Sequence, residues 1–415
     1  MAGAMAALAA RAAGARVALA RRGLGATALS SGAIGVAPDL WAAPGEPLSA
    51  WMGTLAAAHR VALARPDHPY AVVGPELERL EEAIAFAAAQ LVTVMAPPGP
   101  RPLLLATPYG AASTCALAQH TMVAGDLAAV RGVVAVVGFQ GHLGFDAELV
   151  AGGLERYRAI GAPRAVAVQA DLFMREEQAV APPHLLARAL EAEGAAEAAG
   201  RSLRRVLPAG AAVALLPPVL GLSPTAEVAE RIAEAAGLPV AETLSDVPSV
   251  PAQRLQAALD QRLAAAGVVL LAGEVVGTGP GAPARVAGRE VTARSWVLAT
   301  GRFLGGGVTR RGQLAEPLLG IPVTASEAGA AGVHLAVRPS ATLTSRERRT
   351  AQPLMAAGVR VDRALRPLWR DGAPVHPRLF AAGAVIGGHE VAADGTGLGA
   401  AILTGFLSGH AAARG

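Results

Sequence analysis

Leu379 to Ala382 is a short apolar run that stops at Gly383-Ala384. The chain then passes through Gly387, Gly388, His389 and Gly395-Thr396-Gly397, and an apolar helix begins near Gly397. Gly395, Gly397, Gly399 and Gly405 let the backbone come very close to something flat or anionic. The helix start behind them supplies unpaired N–H groups and the positive end of a dipole. Strand, glycine loop and helix start together are what a nucleotide or flavin site needs. Ser295 to Gly307 repeats the grammar: an apolar strand ends in Ala299-Thr300-Gly301, followed by Arg302 and Gly305-Gly306-Gly307. Open α/β sheets bind ligands beyond the carboxyl ends of their strands. Either segment alone also describes an ordinary β-turn. Both in this order, with a helix start near the end of the chain, are more specific.

Elements that could position these two strand ends can be read along the chain. Met1 to Ala13 has the small apolar character of a buried helix, with Gly14 as its cap. Arg16 to Ala20 reads as a short strand, and Arg21 to Gly35 as a glycine/serine loop. Helices are expected over Leu48 to Arg65, Leu77 to Val94, Ala147 to Ile160, His184 to Leu207 and Pro248 to Ala266. Strands are expected over Arg101 to Pro108, Val133 to Val137, Ala165 to Gln169 and Val213 to Leu216. Val268 to Val276, Ala284 to Val286, Glu290 to Ala293 and Trp296 to Ala299 complete the set. Residues 300 to 325 read as one long glycine-rich loop, and residues 326 to 378 carry no clear pattern. Alternating strands and helices argue for an α/β fold with mostly parallel sheets.

Composition narrows the function classes. At 415 residues the chain can bury a large core in two domains. Hydrophobic residues make up 53% and charged residues 16%, which is too apolar for disorder. The longest uncharged apolar run, Ala209 to Ala226, is broken by Pro217, Pro218 and Pro224, so no transmembrane segment is expected. The chain has no lysine, its net charge is only +4 and its aromatic content is 3%. That balance argues against nucleic-acid binding. The single cysteine, Cys115, excludes an internal disulfide framework and a cysteine-ligated cluster within this chain. It fits a reducing compartment. The nine histidines show no metal-ligand spacing, so no metal is expected.

Several stretches carry a resemblance. They are Arg22-Gly23-Leu24-Gly25-Ala26-Thr27-Ala28-Leu29-Ser30-Ser31-Gly32, His68-Pro69-Tyr70, Val137-Gly138-Phe139 and Leu216-Pro217-Pro218-Val219-Leu220-Gly221-Leu222. Thr243 to Val250, Leu298 to Gly307, Glu316 to Gly320 and the C-terminal stretch continue the series in order. Together they resemble a flavoprotein with two dinucleotide-binding domains. More closely, they resemble the B subunits of the anaerobic glycerol-3-phosphate dehydrogenases. The resemblance implies an α/β, Rossmann-like FAD/FMN-binding fold with a parallel sheet and an inserted second α/β region. It places the flavin domain in residues 1–40, 250–325 and 355–415, and an inserted substrate or partner domain in 45–245. It implies a complex that oxidises sn-glycerol 3-phosphate to dihydroxyacetone phosphate and passes electrons to a membrane quinone. In that complex the partners are a second flavoprotein subunit, similar in fold type and carrying FAD and most of the substrate chemistry, and an iron–sulfur subunit that docks the pair at the membrane. The chain would then be cytoplasmic and peripheral to the inner membrane through a partner. The competing expectations are another flavin-dependent dehydrogenase of a small acid, and a flavin-free scaffold protein.

Departures from the family pattern shape the site. Relatives begin with an apolar strand and Gly-x-Gly-x-x-Gly, and Gly3 aligns with the last of those glycines. The expectation is a misassigned start codon with roughly ten residues upstream. The strand at Val17 to Ala20 runs into Arg21-Arg22 with no acid to bind an adenosine ribose. FMN needs no such acid, and its phosphate would favour arginine, so Arg21 and Arg22 become phosphate candidates, with FAD as the alternative cofactor. They could equally be two solvated surface arginines. Thr27, Ser30, Ser31 and Gly32 offer hydroxyls and N–H groups to a phosphate or to a flavin edge, or form a simple surface turn. Gly383-Ala384 stands where many flavoproteins have Gly-Asp.

Oxidising a secondary alcohol needs a proton acceptor, usually histidine. His389, in the glycine loop itself, and His142 are the candidates, and a lone loop histidine is otherwise a solvated one. Arg302 could hold an anionic substrate or the reduced flavin. Arg310 and Arg311 are weaker candidates, and Asp394 is a possible helix cap. The cofactor set is therefore Gly3, Arg21, Arg22, Thr27, Ser30, Ser31, Gly32, Thr300, Gly301, Gly383, Ala384, Gly395, Thr396 and Gly397, with His389 and Arg302 catalytic.

Overall fold

A computed structural model describes residues 1–37, 45–48, 51–140, 142, 144–171, 181–276, 283–311, 313–325, 333–334, 343–347 and 352–414. Helix α1 (Ala2–Ala12) opens the chain and ends where Gly14 takes a left-handed φ of 87°. Strand β1 (Ala18–Arg21) follows, then helices α2 (Thr54–Ala64), α3 (Pro69–Val72) and α4 (Leu80–Gln90). Strands β2 (Leu103–Ala106) and β3 (Ala112–Cys115) form an antiparallel hairpin, and the single turn α5 (His120–Val123) leads away from it.

The inserted sheet comes next. Its strands and helices are β4 (Val133–Phe139), α6 (Ala147–Leu154), β5 (Ala165–Ala170), α7 (Pro183–Glu191), α8 (Ala195–Val206), β6 (Ala211–Leu216), α9 (Val228–Ala236) and β7 (Val240–Glu242). The strands run in the order β5-β4-β6-β7, all parallel. Val137, Phe139 and Leu216 pack against helices on one face, while Val134, Val136 and Leu215 pack on the other. Burial on both faces explains why these strands read as unbroken apolar runs.

Helix α10 (Val250–Ala265) returns the chain to β8 (Val269–Ala272), which pairs parallel with β1. A small antiparallel sheet holds β9 (Val275–Val276), β10 (Ala284–Val286) and β11 (Arg289–Val291). Then come β12 (Trp296–Leu298), the hairpin β13 (Thr309–Arg311) and β14 (Gln313–Ala315), and the sheet of β15 (Val323–Ala325), β16 (Val333–His334) and β17 (Gly358–Val359). Strand β18 (Leu379–Ala381) lies parallel to β12, and the turn α11 (Val391–Asp394) precedes the long helix α12 (Gly397–Arg414). No ladder among the described residues joins the β1–β8 pair to the β12–β18 pair. Helix α1 spans the two: a Cβ on Gly3 would lie 3.1 Å from Ala299 Cβ and 3.9 Å from Leu19 Cδ1.

The structure departs from the sequence reading in several places. The segment read as a loop over 300–325 contains β13, β14 and the start of the β15 sheet. Strands of three residues are too short to show an alternating pattern. The segment read as one helix from His184 to Leu207 is two, separated at Gly194, whose φ is 73°. Strand β7 and helix α9 were not foreseen. Residues 54–95, placed with the inserted region in the sequence reading, share a core with α1, α10 and α12. Their periodicity shows that one face is buried but not which neighbour covers it. In that core Val61, Leu80 and Ile84 join Met5, Leu8, Leu255, Leu403 and Phe406. Helices α1 and α12 touch almost backbone to backbone, because a Cβ on Gly405 would come within 2.5 Å of the Ala2 carbonyl oxygen.

Candidate functional site

The parallel register that sets Leu298 beside Ala381 brings both glycine stops to one end of the β12–β18 pair. Gly301 and Gly383 there adopt φ of 72° and 73°, which an L side chain rarely tolerates. The first turn of α1 meets them: a Cβ on Gly383 would stand 2.6 Å from Ala2 Cβ. Thr27 is drawn to the same place, with its Oγ1 2.5 Å from the Met1 nitrogen. Gly3, Thr27 and Gly383 therefore gather at the first turn of α1, where Gly3 faces Ala299 just before Thr300-Gly301. The Gly383 N–H is spoken for, since it donates to Thr404 Oγ1 at 2.9 Å.

The other predicted residues are distributed differently. Arg21 is bound bidentately to Asp260 of α10, at 2.5 and 2.9 Å. Arg22 is largely exposed and reaches toward Gly306, with Glu274 3.9 Å away. The Ser30 hydroxyl closes its own turn by donating to the Thr27 carbonyl at 2.8 Å. The Ser31 carbonyl accepts from the Ser245 N–H at 3.1 Å, and Gln119 Nε2 donates to the Gly32 carbonyl at 2.9 Å. The serine loop is thus pinned to the inserted region. His142 sits beyond the carboxyl end of β4, beside Phe139, and Arg310 lies in β13. The Arg311 side chain lies outside the described residues. Asp394 ends α11, accepts from the Glu390 N–H at 2.7 Å and is ion-paired with Arg65. Its carboxylate is committed there and not to capping α12.

A buried polar cluster gathers around the C-terminal glycine loop. His68, at the N-terminus of α3, accepts from the Tyr70 N–H at Nδ1 (3.1 Å) and lies 3.0 Å from Thr396 Oγ1 at Nε2. Its ring is 4.5 Å from that of Tyr70 and 5.4 Å from that of His389. Tyr70 Oη reaches the first turn of α12, where it would stand 2.7 Å from a Cβ on Gly399. The Gly399 N–H donates to the Gly35 carbonyl at 3.2 Å, so the chain after the serine loop also lies along this turn. Arg302 clamps the loops: one guanidinium nitrogen donates to the Met355 carbonyl and another, at 3.2 Å, to the Ile386 carbonyl.

His68 and Tyr70 were not assigned a role from sequence. The available signal was the His68-Pro69-Tyr70 match, a histidine and a tyrosine flanking a proline that starts a turn of helix.

Burial governs the charges. It drives His389 down to about 3, helped by the Arg302 charge and opposed in part by the Gly387 backbone. Burial, then the neighbouring His389 and Arg65, holds His68 well below the ordinary histidine range. Burial lowers Arg302 to about 10 and raises Tyr70 far above the usual phenol. Both histidines are therefore neutral in the folded protein where an unfolded chain would protonate them. The unfolded state binds more protons as pH falls below ~6.5, so the stability is complete above that pH and is lost as pH falls further, for His389 on the way toward 3. Each histidine is expected to contribute up to ~1.4 kcal/mol per pH unit in that window. Urea unfolding at pH 7.5, 6 and 5 measures this, and His389→Asn should remove its share of the slope. An unchanged slope in that variant would contradict the assignment.

Several buried atoms in this region have no partner with hydrogen-bond geometry: both ring nitrogens of His389, Tyr70 Oη, Thr300 Oγ1 and Arg302 Nε. Buried polar groups are ordinarily paired. Orphaned polar atoms of this kind beside glycine-lined backbone set the region apart from an ordinary packed core. No group of metal-ligating side chains occurs among the described residues, and no helix among them is long and apolar enough to cross a membrane.

Comparison with known proteins agrees with the geometry. Residues 1–399 match the family model described as an FAD binding domain. A Halobacterium salinarum protein, named as a probable B subunit of anaerobic glycerol-3-phosphate dehydrogenase, is 31% identical over 376 residues, covering 84% of this chain and 82% of its own. Proteins from Pectobacterium carotovorum and Yersinia pestis, both named as that enzyme's B subunit, are 27% and 26% identical, over 65% of this chain and 62% of theirs. With the α/β architecture and the paired glycine strand ends, these matches show that the chain belongs to the FAD-binding-domain flavoproteins, among the B subunits of anaerobic glycerol-3-phosphate dehydrogenase.

Proposed function

We propose that this chain is the flavin-carrying B subunit of a respiratory complex that oxidises sn-glycerol 3-phosphate to dihydroxyacetone phosphate. Electrons pass toward quinone through a second flavoprotein subunit and an iron–sulfur subunit, which hold the complex at the inner membrane. The observation that carries this reading is the cluster of orphaned buried polar atoms beside the two glycine strand ends. When bound there, the flavin supplies the acceptor for the hydride leaving the substrate carbon. His389 is neutral, so its ring nitrogen can take the hydroxyl proton as the carbonyl forms. Arg302 keeps a positive charge close to the His389 ring while fixing the flanking loops. It opposes the imidazolium until negative charge arrives in the site. Gly301, Gly383 and Gly395, each with positive φ, would let backbone approach the flavin, and the start of α12 would offer it the positive end of a helix dipole.

The flavin is FMN in this reading, because β1 ends in Arg21-Arg22 with no carboxylate for an adenosine ribose. FAD, the cofactor in the family's name, is the rival. The test is to co-express the chain with its two partner subunits, record the visible spectrum and identify the flavin released on denaturation. Bleaching by sn-glycerol 3-phosphate without oxygen is expected. A colourless protein would point to a scaffold role, and released FAD would refute the FMN assignment.

A further inference from the structure

Thr396 stands at the start of α12, and its hydroxyl has one neighbour that settles its orientation. His68 Nδ1 accepts from the Tyr70 N–H, so that nitrogen carries a lone pair. The ring is neutral, so its one hydrogen is on Nε2. Nε2 is 3.0 Å from Thr396 Oγ1, and the threonine oxygen must therefore accept. Its own hydrogen turns away from His68, and no acceptor for it occurs among the described residues. Beside it, Tyr70 Oη is fully buried without a partner and is held in its protonated form. The two hydroxyls thus flank the first turn of the eighteen-residue helix α12, Thr396 just before it and Tyr70 Oη against Gly399.

We propose that His68 is a positioning residue. It fixes the Thr396 hydroxyl as a hydrogen-bond donor to the carbonyl edge of the bound flavin, and Tyr70 supplies a second donor to the same edge. This rests on the flavin lying at the C-terminal glycine loop, as proposed above. The arrangement joins residue 68 to residue 396 across 328 positions of sequence. The donor pair is therefore complete only when α3 is docked on α12, and flavin affinity reports that docking.

The test is flavin binding and the flavin reduction potential, measured on the protein stripped of flavin and reconstituted. Loss of one such hydrogen bond corresponds to about a tenfold change in Kd. Thr396→Val and His68→Gln are each expected to raise the flavin Kd about tenfold and to move the potential in the same direction. Thr396→Ser, which keeps the hydroxyl, should bind like the unaltered protein. The double variant should be no weaker than either single one, because the two residues act through one hydrogen. Tyr70→Phe should weaken binding independently. If His68→Gln does not fold, the Thr396→Val and Thr396→Ser pair still decides. Equal flavin affinity in those two, or additive effects in the double variant, would overturn the proposal. A merely structural His68 would lower the melting temperature and leave Kd and potential unmoved. If the unaltered protein takes up no flavin, the underlying reading fails, whereas a flavin-binding protein with indifferent variants sinks the positioning role alone.

Discussion

Replacing His389 with asparagine is expected to reduce kcat roughly a hundred- to ten-thousand-fold, the usual range for removing a general base. The side chain is almost fully buried, and beyond its interaction with the Gly387 backbone its ring nitrogens have no partner with hydrogen-bond geometry. Asparagine keeps polarity and approximate bulk but cannot take a proton at working pH. The loss should therefore fall on kcat, with KM for sn-glycerol 3-phosphate and the flavin content little changed. Rapid mixing under anaerobic conditions isolates the step, since flavin bleaching itself should slow by the same factor. Bleaching within a few-fold of the unaltered rate would remove His389 from the chemistry. Slow bleaching with flavin lost from the protein would instead make it a binding residue.

Glu242→Ala is expected to lower the unfolding free energy by about 3–5 kcal/mol, the penalty for stranding a buried charge. Glu242 of β7 is fully buried, and Arg254 of α10 donates to its Oε1 at 2.8 Å. The same guanidinium donates to Thr121 Oγ1 at 2.8 Å, to Gln119 Oε1 at 3.1 Å and to the Gly221 carbonyl at 2.9 Å. Thr121 in turn donates to Glu242 at 2.6 Å, and the Leu220 N–H does so at 3.1 Å. Removing the carboxylate leaves the guanidinium dry with only neutral partners. Replacing both members, as in Glu242→Leu with Arg254→Met, should restore most of the loss. Urea unfolding of the three variants checks this. A single-variant loss below ~1 kcal/mol would show that water reaches the pair. Gln119 belongs to this network and also holds the Gly32 carbonyl, so the single variant should loosen the serine loop as well.

The parts of the fold that repeat a simple period were legible in the chain. Residues 133–137 and 213–216 are continuous apolar runs because both faces of their sheet are covered, and α12 announces itself by an apolar stretch behind glycines. The two strand ends were legible as a pair because each carries glycine where φ is positive. What remained hidden depends on contacts between distant segments. Nothing local in Arg21 reveals that Asp260 will occupy it. His68 looks like any histidine before a proline until Thr396 is placed beside it. The short strands β13 to β17 give the sequence no run long enough to read, and the fate of residues 54–95 was decided by which apolar face α12 offered.

Helices α1 and α12 fit together along Gly405 and Gly409, one near each end of the chain. During synthesis α1 leaves the ribosome long before α12, and Met5 and Leu8 wait for Leu403 and Phe406 to cover them. Strand β1 waits likewise, since Ala18 pairs with Val269. The inserted sheet, by contrast, draws its four strands from residues 133–242 and can close while the remainder is still being made. Biosynthesis therefore finishes the middle of this protein before its beginning, and the first helix depends on the last one for its shelter.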